Sequence, residues 1–102
     1  MPKGYWIAHV DVQGQDGYMA YVKALPAILR KFGGRYVARG GTCETVEGKS
    51  RGRNIVIEFP SYAQALACYR SPEYKQAAED RRPNAETDLL VLEGYEGPQP
   101  DD

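Results

Sequence analysis

The chain has 102 residues, of which 26% are charged, and a formal net charge of −1. That length gives one domain with a modest core, and the near-neutral balance lacks the basic field on which nucleic-acid or anionic-membrane binding rests. No apolar run approaches a transmembrane length, the opening Met-Pro-Lys-Gly does not read as a signal peptide, and Cys43 and Cys68 fit no zinc or redox spacing, so free thiols in a cytoplasmic protein are expected.

Tyr5 to Val12 reads as the first strand, with Trp6, Ala8, Val10 and Val12 on an apolar face and Tyr5, Ile7, His9 and Asp11 on a mixed one. Gln13-Gly14-Gln15 is a turn, and Asp16 is expected to cap the first helix. Tyr18, Val22, Leu25, Leu29 and Phe32 recur at helical spacing and define its buried stripe. Pro26 lies inside this helix, where it removes a backbone hydrogen bond and favours a kink. Gly33-Gly34 is a strong stop.

Arg35 to Arg39 begins the second strand; Gly40-Gly41 is expected to bulge, and Thr42 to Val46 to continue the ladder. Glu47 to Gly52 is a polar hairpin loop. The third strand is the most regular stretch: Ile55, Ile57 and Phe59 alternate with Asn54, Val56 and Glu58 until Pro60 ends the ladder. Ser61 to Gln64 reads as a capping box for a helix over about Tyr62 to Arg70. Ser71-Pro72 starts another helix, with Tyr74, Ala77, Ala78 and Arg81 on one face. Thr87 to Tyr95 is the last strand. Residues 1–96 thus form a single domain, and Gly97 to Asp102 is a Pro-rich acidic tail expected to be disordered.

The order strand, helix, strand, strand, helix, strand is the ferredoxin-like split βαβ arrangement, an α+β fold. The first and third strands are expected as the central pair, running parallel, with helices over one face only. The other face would expose Tyr5, Ile7, Val37, Val56, Leu89 and Val91. A monomer rarely leaves so continuous an apolar patch in water. A homodimer closing a barrel-like interior is therefore expected, with neither nucleic acid nor membrane as partner.

In that topology His9, Asp11 and Glu58 gather at one end of the open face, with Arg39 beside Glu58 and the Arg81–Asn84 loop beside Asp11. A buried Glu58 must be paired or protonated. The candidate catalytic residues are His9 or Glu58 as a proton acceptor and Arg39 as an oxyanion stabiliser. Asp11, Tyr18, Tyr69, Tyr74 and Arg81 are the candidate ligand contacts. Each has a plainer role: an interface ion pair for Glu58 and Arg39, a hydrogen-bonded strand histidine, a turn-capping Asp11, and tyrosines that pack with their hydroxyls in water. One histidine with two carboxylates is too little to name a metal site, and Gly40-Gly41 does not lead into a helix as a phosphate loop does. No metal and no cofactor are expected.

Gly4-Tyr5-Trp6-Ile7-Ala8, the run Gly33 to Gly41, Glu58-Phe59-Pro60-Ser61, Tyr69-Arg70-Ser71-Pro72-Glu73-Tyr74, Arg81 and Glu93-Gly94 together resemble the family called domain of unknown function 1330, over about Gly4 to Gly94. The resemblance implies a ferredoxin-like dimeric α+β barrel. That broad group includes cofactor-independent monooxygenases, muconolactone-isomerase-like enzymes and dye- or haem-acting members. The family pattern has tryptophan where Cys68 stands, which implies a smaller or reshaped pocket if that aromatic lines one. The expected function is binding, with or without transformation, of a small organic molecule in a mixed pocket on the open sheet face. The alternative is an interaction module without catalysis.

Overall fold

The structure, a computed structural model, describes residues 1–101. Four strands form one sheet: β1 (Gly4–Val12), β2 (Arg35–Arg39), β3 (Arg53–Phe59) and β4 (Ala85–Glu93), in the order β2-β3-β1-β4. Three helices accompany them: α1 (Gln15–Lys31), α2 (Tyr62–Arg70) and α3 (Pro72–Arg81), with a short 3-10 turn at Arg82–Asn84. The architecture is the expected α+β ferredoxin-like one, with β1 and β3 in the centre.

Every neighbouring pair of strands is antiparallel, which corrects the expected parallel central pair. Helix α1 carries the chain back so that β1 and β2 run the same way, but they are not neighbours. The β2–β3 connection then reverses the chain and inserts β3 between them. Glu58 consequently pairs with Tyr5 and Arg35, at the opposite end of β1 from His9, which pairs with Asn54.

Alternation decides the two faces. Trp6, Ala8 and Val10 of β1 and Ile55, Ile57 and Phe59 of β3 are buried under the helices. Strand β4 is reversed relative to expectation: Leu89 and Val91 pack against the core, whereas Leu90 and Leu92 are exposed at 48% and 50%. Its parity is set by Ala85, buried opposite Val12, so Leu90 falls opposite Ile7 and Leu92 opposite Tyr5 on the open face. Strand β2 ends at Arg39, and residues 40–52 carry no strand, in place of the expected continuation through Val46. The bulge lies between Tyr36 and Ala38 rather than at Gly40-Gly41. Gly40 instead turns the chain out of the sheet at φ +64°, a left-handed conformation that favours glycine.

The helix ends show why the helices stop where they do. Gly33 at φ +77° donates to the Arg30 carbonyl and Gly34 to the Leu29 carbonyl, the paired bonds of a Schellman cap. The Ser61 hydroxyl accepts from the Gln64 amide, and the Ser71 hydroxyl from the Tyr74 amide. At the start of α1 the cap is Gly14, not Asp16. The Asn84 carbonyl accepts from the Gln13 and Gly14 amides and fixes the entry two residues earlier than a cap at Asp16 would. Helix α1 is continuous through Pro26.

The core beneath α2 and α3 is aromatic. Trp6 is 1% exposed, and its indole N–H donates to the Ala65 carbonyl at 2.9 Å. Its ring lies 4.9 Å from Tyr74 and 5.2 Å from Phe59. Cys68 is fully buried behind this cluster, and burial pushes its thiol up to about 12, so it stays protonated. Residues 97–101 form no helix or strand, and the Tyr95 hydroxyl donates to the Pro98 carbonyl. The final residue of the expected tail, Asp102, lies outside the described residues.

Candidate functional site

Strand register builds the floor of a cavity on the helix-covered face. Thr87, Val10 and Arg53 stand side by side across β4, β1 and β3. The next row is Leu89, Ala8, Ile55 and Arg39, and beyond it Val91, Trp6, Ile57 and Tyr36. Ala8, the smallest side chain of the middle row, leaves the space. One face of α1, Tyr18, Tyr21, Val22 and Leu25, forms the roof, and Arg81 of α3 reaches in from the side. The free volume is about 30 Å³. That is room for about two water molecules, or for the head group of a ligand.

The electrostatics are one-sided. Arg39, Arg53 and Arg81 line the cavity, and no Asp, Glu or His does. None of the three takes part in an ion pair among the described residues. Arg81 is only 7% exposed. Its Nε, the Nε of Arg53 and the Thr87 hydroxyl are buried without a hydrogen-bond partner. The arginines also lean on rings: Arg81 lies 5.6 Å from the Tyr21 centroid and Arg39 4.3 Å from that of Tyr36, and the Arg81 guanidinium hydrogen-bonds the Tyr74 side chain. Tyr21 and Tyr74 share a buried hydroxyl–hydroxyl bond of 2.9 Å. Burial pushes the Tyr21 phenol well above its ordinary range and raises those of Tyr74 and Tyr36. All three are therefore neutral hydroxyls at physiological pH, and of the Tyr21–Tyr74 pair one O–H is spent on their mutual bond. The lining thus offers cations and O–H donors around an apolar floor.

The open face presents different chemistry. Arg51, from the β2–β3 connection, grips Asp11, Glu86 and Asp88 at 2.9–3.0 Å. Asp11 also accepts from the Gly52 amide at 2.8 Å. That backbone bond, with help from Arg51, holds the Asp11 carboxyl below its ordinary range. His9, Asp11, Lys49, Ser50, Arg51 and Asp88 line an open cleft of about 390 Å³ here. The His9 ring contacts the Asn54 side chain at 2.6 Å. Among the described residues no group of three or more His, Cys, Asp or Glu side chains is arranged to hold a metal, and no helix is long and apolar enough to cross a membrane.

The expected cluster is therefore divided by the sheet. Arg39, Tyr18 and Arg81 meet in the inner cavity, with Tyr74 just behind Tyr21. Tyr69 packs against Trp6 and Tyr74, in the aromatic core rather than at the cavity. His9 and Asp11 lie on the opposite face. Glu58 is at the far end of that face, across from Arg35 rather than Arg39. Sequence reasoning missed Arg53, Tyr21 and Thr87. A signal for two of them was present: Arg53 is in phase with Ile55 and Ile57, and Thr87 with Leu89 and Val91, so each is a polar residue on a core face. Cys68, in the place of the family's tryptophan, does not line the cavity.

The family model described as Domain of unknown function (DUF1330) matches residues 3–95. No curated protein matches the chain. Among solved structures, a protein of unknown function from Rhodopseudomonas palustris aligns with a TM-score of 0.74 at 20% identity, over 94% of this chain and 85% of that one. SnoaB from Streptomyces nogalater, described as a cofactor-independent oxygenase, aligns with a TM-score of 0.66 at 10% identity, over 95% and 97% of the two chains. A dimeric ferredoxin-like protein of unknown function from Jannaschia aligns at 0.59 and 15% identity, over 88% and 97%. At these identities the likeness is one of fold.

Proposed function

We propose, for a chain that belongs to the DUF1330 family, that it binds a small organic molecule whose polar head enters the inner cavity beneath α1 and α3. The observation that carries this reading is that Arg53, Arg81 and Thr87, which line this apolar-floored space, each keep a buried side-chain atom (Nε, Nε and Oγ1) without a hydrogen-bond partner. A buried polar group without a partner is destabilising by about 1–3 kcal/mol, so such groups call for an ordered water, an ion or a ligand to meet them, or a catalytic role. The free volume accommodates the head alone, so the body of the ligand extends past the exposed Arg39 at the mouth. The functional face is thus the helix-covered one rather than the open one.

The open face supports a second part of the proposal. Tyr5, Ile7 and Val56 are half-buried there beside exposed Leu90 and Leu92. Such a continuous apolar strip favours pairing of two copies, sheet against sheet. The Jannaschia neighbour is described as dimeric, which agrees with it.

A cofactor-independent oxygenase or isomerase activity is the more specific reading. The description of SnoaB and the arginine-lined cavity both favour it. Arg39 would stabilise a developing oxyanion there. His9 and Glu58 would have no part in it, because the sheet separates them from the cavity.

The test is a thermal-shift screen of small acids, lactones, phenols, quinones and neutral analogues on wild type and Ala8→Phe, whose ring fills the floor. A ligand at a hundred times its Kd stabilises by about 2.7 kcal/mol, an easily read shift. Compounds that shift wild type and not Ala8→Phe support the reading. No compound that shifts wild type, or equal shifts in both proteins, overturns it.

A further inference from the structure

Resting on that reading of the cavity, we propose that the group it receives is the carboxylate of a small organic acid, held by Arg81 and Arg53 with the Thr87 hydroxyl. Charge comes first. Three guanidiniums line the space and no acidic side chain answers them. The carboxylates of Asp11, Glu86 and Asp88 lie across the sheet, where Arg51 already grips them. The cavity's guanidiniums thus have no acidic partner in its lining, and a buried cation such as Arg81 calls for a counter-charge within reach.

Shape comes second. A guanidinium presents a planar fork that matches the two oxygens of a carboxylate. The Nε of Arg81 and that of Arg53 are the buried, unpartnered edges of two such forks. The free volume of about 30 Å³ is that of a carboxyl group, not of a whole ligand. Phosphate fits less well. It is tetrahedral and bulkier, and proteins commonly cradle it with backbone amides at a helix N-terminus or in a turn. Here the floor is strand, and its amides are used by the ladders on either side.

The surrounding phenols agree. Burial keeps Tyr21 and Tyr74 protonated, so they add no competing negative charge beside Arg81. Gly40 leaves room for the second fork: a Cβ there would lie 2.5 Å from Nη1 of Arg53. The sequence places glycine where a side chain would push Arg53 out of the mouth.

The experiment compares acetate, benzoate and phenylacetate with their primary amides, in chloride-free buffer, by thermal shift and calorimetric titration. Inorganic phosphate and chloride are run alongside. Wild type, Arg81→Met, Arg53→Gln and Ala8→Phe are measured, so that the loss of one variant to misfolding leaves another. At least one carboxylate is expected to stabilise wild type while its amide does not. Its affinity is expected to fall about tenfold or more in Arg81→Met or Arg53→Gln, and to disappear in Ala8→Phe. Amides that bind as well as acids, with Ala8→Phe blocking both, overturn the carboxylate and leave the binding cavity standing. Phosphate or chloride matching the acids also overturns it, in favour of a general anion site. Carboxylates that bind all four proteins alike overturn it as well, because they then bind elsewhere. If neither acids nor amides shift wild type, the carboxylate proposal fails, and the broader compound screen decides the fate of the cavity.

Discussion

Replacing Arg81 by methionine should make the protein more stable and less able to bind. Arg81 is 7% exposed and forms no ion pair among the described residues. Removing a charge from water without a counter-ion is unfavourable by several kcal/mol even after relaxation. Two contacts return part of this. The guanidinium lies 5.6 Å from the Tyr21 ring, worth about 0.5–2 kcal/mol, and it hydrogen-bonds the Tyr74 side chain, which offsets part of the burial-driven rise of that phenol. Methionine has a similar length, no charge to desolvate, and a thioether that itself packs well on rings. The balance favours Arg81→Met by about 1–2 kcal/mol, which in a domain of this size is about 5–15 °C in Tm. Urea unfolding and scanning calorimetry on matched protein concentrations would measure it, since the proposed pairing of copies would make Tm concentration-dependent. A loss of more than about 1 kcal/mol, with ligand affinity unchanged, would refute the reasoning. Arg81 would then be a structural tie, and its buried charge would need no ligand.

Three other outcomes are expected. Tyr21→Phe leaves the buried Tyr74 hydroxyl with Arg81 as its remaining hydrogen-bond partner and should destabilise by about 0.5–1.5 kcal/mol, the net worth of one such bond; denaturant midpoints decide it. Leu90→Glu with Leu92→Glu should give a monomer at micromolar concentration by light scattering with the far-UV spectrum intact, because both side chains lie on the open face rather than in the core. The Gly52 amide, with Arg51, holds the Asp11 carboxyl below its ordinary carboxylate range, so the contribution it makes to anchoring Gly52 is complete above that range and is lost as pH falls through the lower folded one. Amide exchange at Gly52, extrapolated to a common intrinsic rate, should rise below that range in wild type and be high at all pH values in Asp11→Ala; a flat profile in wild type contradicts this anchoring of Gly52.

Local chemistry was readable where local chemistry decides. The Ser61 and Ser71 caps, the Gly33-Gly34 stop and the alternation of β1 and β3 depend on neighbours in sequence, and they stand as written. The errors came from long-range parity. Taking β1 and β3 as parallel moved Glu58 to the wrong end of the sheet, and the unbroken apolar run Leu89-Leu90-Val91-Leu92 offers no alternation from which to read which residues of β4 face the core. Asp16 looked like a cap by type, but the carbonyl of Asn84, remote in sequence, had already set the helix start. Such a contact leaves no mark in a local pattern.

Once the parity is right, the cavity becomes legible in a way that needs no coordinates. Arg53 and Thr87 occupy positions that the period-2 rule assigns to the core, on either side of Val10. Arg81 shares the buried face of α3 with Tyr74, Ala77 and Ala78. Three polar side chains from three separate elements thus break the apolar pattern, and the fold brings all three to one place beside the smallest residue of the middle row, Ala8. A structural role would require each to find a partner in the protein, since an orphaned donor is destabilising. None of the three donors named does. Agreement among independent violations of the folding pattern is stronger evidence for a site than any one of them, because packing alone gives no reason for them to coincide.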